Sequence, residues 1–153
     1  MKKAVLMKNI TLFIVGFCSY ITIESCFRGY SYFLMGICGG ISVVIIDKLN
    51  SKISWNMDIL LQGCIGSIII TAMELTVGII CKIYAFEPMW DYSNIWMNYD
   101  GIICLPFSLI WIFLSIVAIL LADTINYYIF NEMPVPYYKL FGKIIFKFKE
   151  KKQ

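Results

Sequence analysis

Few side chains in this chain could do chemistry, and several of them sit where charge is costly. Glu24, Arg28 and Glu74 are ionisable groups within or at the edge of long apolar runs. A second set lies in WDYSNIWMNYDG, residues 90–101, which carries Trp90, Asp91, Tyr92, Ser93, Asn98, Asp100 and Gly101. Charged groups at membrane depth cost roughly 3 kcal/mol each on insertion scales, so each needs a partner or a purpose. Glu24 and Arg28 are spaced i, i+4 and can meet on one helix face. Arg28 could equally reach across to Glu74. Two readings follow. In one, Glu24, Arg28, Glu74, Asp91, Asn98 and Asp100 converge on one polar site. In the other, Glu24, Arg28 and Glu74 form an ion-pair network that only fixes helix register.

The sequence contains no histidine, which removes the usual general base and the commonest metal ligand. Carboxylates alone are a thin set for catalysis, and at membrane depth they more often pair with cations. No enzyme activity, metal or cofactor is expected, and no nucleic-acid partner. The cysteines are Cys18, Cys26, Cys38, Cys64, Cys81 and Cys104, none in a CxxC pair and each in an apolar run. They read as small apolar packing residues. A disulfide among Cys26, Cys81 and Cys104 is the other reading, and it needs a geometry that sequence does not supply.

The elements that must position these groups follow from composition. Of 153 residues, 60% are hydrophobic and only 15% charged, with a mean hydropathy of +0.77. Soluble domains carry about 25% charged residues. A chain this short cannot hide so much apolar surface in one core. The expected class is therefore all-α and integral to a membrane, with short loops. A span needs about 20 mostly apolar residues. Four candidates cover about 10–27, 31–46, 57–81 and 101–122, giving a transmembrane domain over 1–130 and a basic tail over 131–153. The first run follows Lys2 and Lys3 as a leader would. But no A-x-A-like site ends it and it carries Glu24 and Arg28, so it is read as a span.

Positive charges set the expected orientation. Lys2, Lys3, Lys8, Lys48, Lys52, Lys139, Lys143, Lys147, Lys149, Lys151 and Lys152 fall on one side, and only Arg28 and Lys82 on the other. Both termini are expected in the cytoplasm and residues 90–101 outside it. Trp90, Tyr92, Trp96 and Tyr99 would anchor one interface. Trp55, Tyr127, Tyr128, Tyr137 and Tyr138 would anchor the other. Asp58, Gln62 and Asp123 lie nearer that second interface as polar contacts or as nothing in particular.

Helix faces carry a second signal. Gly63, Ser67, Thr71, Glu74 and Gly78 recur every three or four residues, a stripe that suits close helix packing in lipid. Gly36 and Gly40, in GxxxG spacing, offer the second span as a partner surface for it. Gly16, Tyr20, Glu24 and Arg28 share one face of the first span. In the tail, Pro134 and Pro136 are expected to stop the fourth helix. Lys139, Lys143 and Lys147 then recur every four residues beside Leu140, Ile144 and Phe148. This reads as a short amphipathic helix on anionic lipid, or as a docking segment for a partner.

The segments IESCFRGYSYFLMGICGG, ITAMEL and WDYSNIWMNYDGIICLPFSLIW resemble the family of small bacterial membrane proteins named "putative ABC-transporter type IV" permeases. The resemblance runs from about Gly16 to Tyr138. It is carried most specifically by W-D-Y-S with Asn98, Gly101 and Trp111, supported by Glu24, Arg28, Gly29 and Glu74. Where the family often has a proline, this chain reads Asn94–Ile95–Trp96–Met97. The resemblance implies a multi-pass protein of the bacterial cytoplasmic membrane that serves as a permease subunit. The chain has no GxxxxGK[ST] loop, so ATP hydrolysis would need a separate subunit. Four short helices cannot enclose a solute pathway alone, so a transporter would need an oligomer or a second membrane subunit. Two other functions suit the same features: a channel or holin-like pore former, and a non-transporting scaffold, assembly or immunity protein.

Overall fold

The structure is a computed structural model. It describes residues 2–132 and 134–151, so Lys152 of the basic tail lies outside the described residues. Four helices carry the chain: α1 (Lys2–Arg28), α2 (Phe33–Asn50), α3 (Ile59–Ile83) and α4 (Leu105–Tyr128). They contain 27, 18, 25 and 24 residues, and all four are long and apolar enough to cross a membrane. The all-α membrane class holds. The helices reach past several expected ends, most clearly where α1 runs back through Lys8 and α4 on through Asp123. An apolar run stops at its first charge, whereas a helix continues through a charge that finds a partner.

Each helix end has a local cause. Gly29, at φ 82°, closes α1, its amide bonded to the Ser25 carbonyl at 2.9 Å. Asp58 caps α3 by accepting from the Leu60 amide at 3.0 Å. Pro106 sits in the first turn of α4, where a missing N–H is harmless. Asn131 adopts φ 55°, and the Glu132 amide bonds the Asn126 carbonyl at 3.0 Å. That left-handed turn ends α4 before either expected proline is reached.

The helices pack chiefly as two antiparallel pairs, α1 on α2 and α3 on α4, joined through α2 against α4. The α1–α2 crossing is close because Gly16 and Gly39 face each other. A Cβ on Gly16 would sit 2.8 Å from the Gly39 carbonyl oxygen. Gly36 and Gly40 lie against Phe17 and Phe13 of α1. The glycine pair of α2 therefore serves α1, and the expectation that it receives the α3 stripe is corrected. The stripe itself faces α4. Gly63 lies against Ile112 and Ile116, and Ser67 donates to the Ser108 carbonyl at 2.6 Å. Thr71 meets the Ser108 hydroxyl at 3.1 Å. Gly78 lies against Ile102, just before α4. The outer faces stay apolar, with Ile14, Ile68 and Phe113 exposed, as a bilayer-facing surface requires. All six cysteines are free, so the disulfide reading does not hold.

Two small strand pairs complete the fold. β1 (Asn98–Tyr99) pairs antiparallel with β2 (Ile103–Cys104), and β3 (Tyr137–Leu140) with β4 (Lys143–Lys147). The tail is thus a β-hairpin, and the expected amphipathic helix is corrected. A spacing of four, as from Lys143 to Lys147, keeps one face of a regular strand as it would on a helix, whereas Lys139 lies across the turn, paired with Ile144 on the face opposite Lys143, so the run can be read as a helix or as a hairpin. The turn decides between them. Phe141 and Gly142 take φ 50° and 77°, the pattern of a tight hairpin turn. Asp58 also accepts from the Phe141 amide at 2.5 Å, tying this turn to the start of α3. Tyr138 and Phe148 are buried against Ile59, Ile119 and Tyr127. The end holding the hairpin, the start of α1 and the α2–α3 connection is the basic end. The end holding residues 84–104 is the aromatic end.

Candidate functional site

At the aromatic end the WDYS element folds back on Gly101. Asp91 Oδ1 accepts from the Ser93 amide at 2.8 Å and from the Ser93 hydroxyl. The Tyr92 amide donates to the Gly101 carbonyl at 2.8 Å. Asn98 Nδ2 donates to the Ile95 carbonyl at 2.7 Å, while its Oδ1 accepts from the Gly101 amide at 3.1 Å. Gly101 must be glycine on two counts. Its φ is 67°, and a Cβ there would sit 2.7 Å from Ser93 Oγ and 2.8 Å from Asp91 Oδ1. Ser93, first through its hydroxyl and then its amide, holds the Asp91 carboxyl below its ordinary value of 3.8. The loop thus uses Asp91, Ser93 and Asn98 to fold itself, not to cap helices.

The folded loop aims two aromatics inward and two outward. Tyr92 is buried, and Trp90 donates from Nε1 to the Ile102 carbonyl at 2.7 Å. Trp96 and Tyr99 are 64% and 66% exposed, so of the four expected interface anchors only these two stand free. Asp100 turns aside to pair with Lys82 at 2.7 Å.

Glu74 lies beneath the loop, 7% exposed, on the α3 face turned to α4. The Tyr92 hydroxyl donates to its Oε1 and Trp111 Nε1 to its Oε2, both at 3.0 Å. Burial, then the neighbouring Glu74, pushes the Tyr92 hydroxyl above its ordinary value of 10, so it stays a proton donor. Arg28 does not reach Glu74. Its Nη2 pairs with Glu24 Oε1 at 2.6 Å and its Nη1 donates to the Met89 carbonyl at 2.7 Å. Ser31 donates its hydroxyl to Glu24, and the Arg28 guanidinium lies over Tyr30, 4.7 Å from the ring centroid. Glu24 and Arg28 are therefore an ion pair across one turn of α1, and among the described residues Glu74 is held by the neutral donors Tyr92 and Trp111.

A cleft of about 500 Å³ opens between α1 and α4 at this level. Its walls are mostly apolar and aromatic: Tyr20 stacks on Trp111 at 6.1 Å between centroids, and Tyr92 on Phe107 at 4.7 Å. Glu24, Arg28, Trp90 and Asp91 contribute to its lining. Apolar walls with a few convergent polar groups, at a volume within the usual range, describe a small-molecule site. Of the residues expected to converge, Glu24, Arg28 and Asp91 border the cleft. Glu74 stands behind its Tyr92 and Trp111 wall. Asn98 and Asp100 lie elsewhere.

The model of the family described as "putative ABC-transporter type IV" matches residues 12–148. The chain belongs to this family. Every group that borders the cleft falls within the match. With four helices long enough to cross a membrane, membership makes the chain a transport-related membrane protein. No curated protein and no solved structure matches the chain.

Two sets of residues escaped the sequence reading. Tyr20 and Phe107 build cleft wall with Trp111, and only Tyr20's position on the Glu24 face of α1 hinted at it. The second set forms a polar cluster at the basic end. Lys8 pairs with Asp47 at 3.3 Å and with Glu132 at 3.0 Å. Asn126 donates to Asp47 at 2.5 Å. Asp123 accepts from Tyr138 at 2.7 Å and from Asn50 at 3.2 Å. Of the three groups left open by sequence, Asp123 joins this cluster, Asp58 is the α3 cap and Gln62 donates to the Met57 carbonyl at 3.0 Å.

Proposed function

We propose that this chain is the membrane-embedded permease subunit of a bacterial transport system and that the cleft at the aromatic end is its solute-facing site. The observation that carries the reading is the cleft itself, about 500 Å³ of aromatic wall with Glu24, Arg28 and Asp91 bordering it. The lysine distribution supports both termini in the cytoplasm and the cleft outside it. ATP hydrolysis belongs to a separate subunit, and the subunit works as an oligomer or with a second membrane protein. It performs no catalysis of its own.

Two experiments test this. Purification from mild detergent should bring down an ATPase. In cells, Glu74→Ala should abolish uptake of the solute, because removing the carboxylate frees Tyr92 and Trp111 from the cleft wall. Absence of an ATPase together with normal uptake in that variant would discard the reading.

A second reading, a non-transporting scaffold, is favoured by one observation. Among the described residues Glu74 has no cationic partner and hydrogen-bonds to Tyr92 and Trp111, which is what a purely structural tie would do. A Glu74→Gln protein that loses thermal stability but keeps full uptake would favour the scaffold.

A further inference from the structure

The hairpin that replaced the expected tail helix makes a groove against α4. It lies between β4 and the flank of α4, with Ile59 at the start of α3 beneath it, and has a volume of about 600 Å³. One wall is the flank of α4, from Ile116 through Leu120 to Tyr128, about 18 Å at helical rise. The opposite wall is Ile145 and Phe146 of the hairpin. Those two side chains are 56% and 53% exposed, too much apolar surface to face water without cause. At the rim stand Lys147 and Lys149, and no carboxylate lines the groove.

We propose that this groove is a binding site for one anionic glycerophospholipid of the leaflet at the basic end. The polarity runs in the right direction along the bilayer normal. The apolar wall begins at Ile116, inside a segment long enough to cross the membrane, and the cations come after the helix has ended. An acyl chain lies along Leu120 and Ile116 while the phosphate meets Lys147 and Lys149. Among the described residues Lys147 is engaged by Glu150 at 3.1 Å, an exposed pair that a phosphate can displace. Lys149 has no ion-pair partner among the described residues. Other lysines of the hairpin are committed elsewhere or lie off the groove. Lys139 donates to Asn56 Oδ1 at 2.7 Å, and Lys143 begins β4 beside the turn. The claim is therefore one of headgroup selection by two named lysines, not of general attraction to a charged membrane.

The test uses the full chain in mild detergent, with phosphatidylglycerol or phosphatidylcholine added and the melting temperature followed. Phosphatidylglycerol should raise it saturably, and phosphatidylcholine should leave it nearly unchanged. Lys147→Gln with Lys149→Gln should weaken the phosphatidylglycerol response roughly tenfold to thirtyfold, at about 1 kcal/mol per lysine. Lys52→Gln with Lys143→Gln should leave it within twofold. Equal responses to the two lipids would overturn the proposal, as would equal losses in the two variant pairs, which mean diffuse charge attraction. An identical response to inorganic phosphate would mean a free-anion site and overturn it too. Should the double variant fail to fold, native mass spectrometry of the unaltered protein decides. Equal retention of the two lipids from an equimolar mixture refutes the site.

Discussion

Two buried carboxylates, Glu74 at the aromatic end and Asp47 at the basic end, are held in opposite ways, although the basic end also holds Asp123 by the neutral donors Tyr138 and Asn50. At the aromatic end Glu74 is satisfied by two neutral donors, Tyr92 and Trp111, one from the loop and one from α4. At the basic end Asp47 is held by a cation, Lys8, and by the Asn126 amide. Neutral donors cost little to bring into a low-dielectric interior, and their partner can lose them singly. A buried ion pair is costly to assemble and far costlier to halve, because the survivor is left charged and unpaired. The aromatic end is therefore built to tolerate rearrangement around its cleft, and the basic end to hold α1, α2 and α4 in fixed register.

The sharpest way to break that comparison is to remove the cation. Lys8→Met leaves Asp47, whose side chain is only 4% exposed, without its charge partner. It should cost about 3–5 kcal/mol, read as loss of unfolding stability in detergent. Combining it with Asp47→Asn should recover more than half of that loss. A single variant as stable as the starting protein would show that the basic end is not held by this pair.

The Glu74 variants come next in size. Glu74→Gln keeps an acceptor for Trp111 and turns its amide N–H₂ onto the Tyr92 hydroxyl oxygen, which then accepts and leaves its own O–H without an acceptor. The expected loss is about 1–3 kcal/mol, the penalty for one buried donor without a partner. Tyr92→Phe, which deletes the donor and keeps the ring against Phe107, should cost about 1 kcal/mol. If the Gln variant cost as much as Lys8→Met, the distinction between the two ends would collapse.

The same contrast explains what the sequence could reveal. Four helices were legible because 20-residue apolar runs have few alternatives in a bilayer. The i, i+4 pair of Glu24 and Arg28 was legible because helical spacing brings the two together. The WDYS loop was legible as an element but not in its internal logic. Nothing in the order of Asp91, Ser93, Asn98 and Gly101 announces that they bond to one another. The basic end was nearly invisible. Lys8, Asp47, Asn126 and Glu132 lie on different segments, and they meet only once α1, α2 and α4 have packed. Asp47 fell just past an expected span end and looked like an ordinary interfacial charge. The hairpin was misread because the four-residue lysine spacing reads as one helical row, although Lys139 and Lys143 stand on opposite faces of the hairpin, and the deciding signal was the backbone freedom of Gly142 in the turn.

Smaller effects sharpen the aromatic end itself. Glu24→Gln removes the charge facing Arg28, but that guanidinium keeps its bond to the Met89 carbonyl and its stacking on Tyr30. The pair is partly exposed, at 21% and 13% for the two side chains, so the expected cost is about 1 kcal/mol in thermal unfolding. A loss approaching that of Lys8→Met would mean that Arg28 is as dependent on its partner as Asp47 is.

The smallest effect concerns the loop's response to acid. In the folded protein the Asp91 carboxyl is held below its ordinary value of 3.8 by Ser93, so folding favours its ionised form. A group with a lowered folded value contributes its full share above the unfolded value and loses it as pH falls through the folded one. The Asp91–Ser93 turn should therefore be insensitive to pH from 8 down to about 5 and loosen only below 3.8. Hydrogen exchange at the Ser93 amide, corrected for its intrinsic pH dependence, reads this directly. Asp91→Asn, which keeps an acceptor oxygen that cannot be protonated in this range, should hold the amide protected throughout. Asp91→Ala should expose it at every pH. Loss of protection between pH 7 and 5 in the unaltered protein would mean that some other group controls the loop.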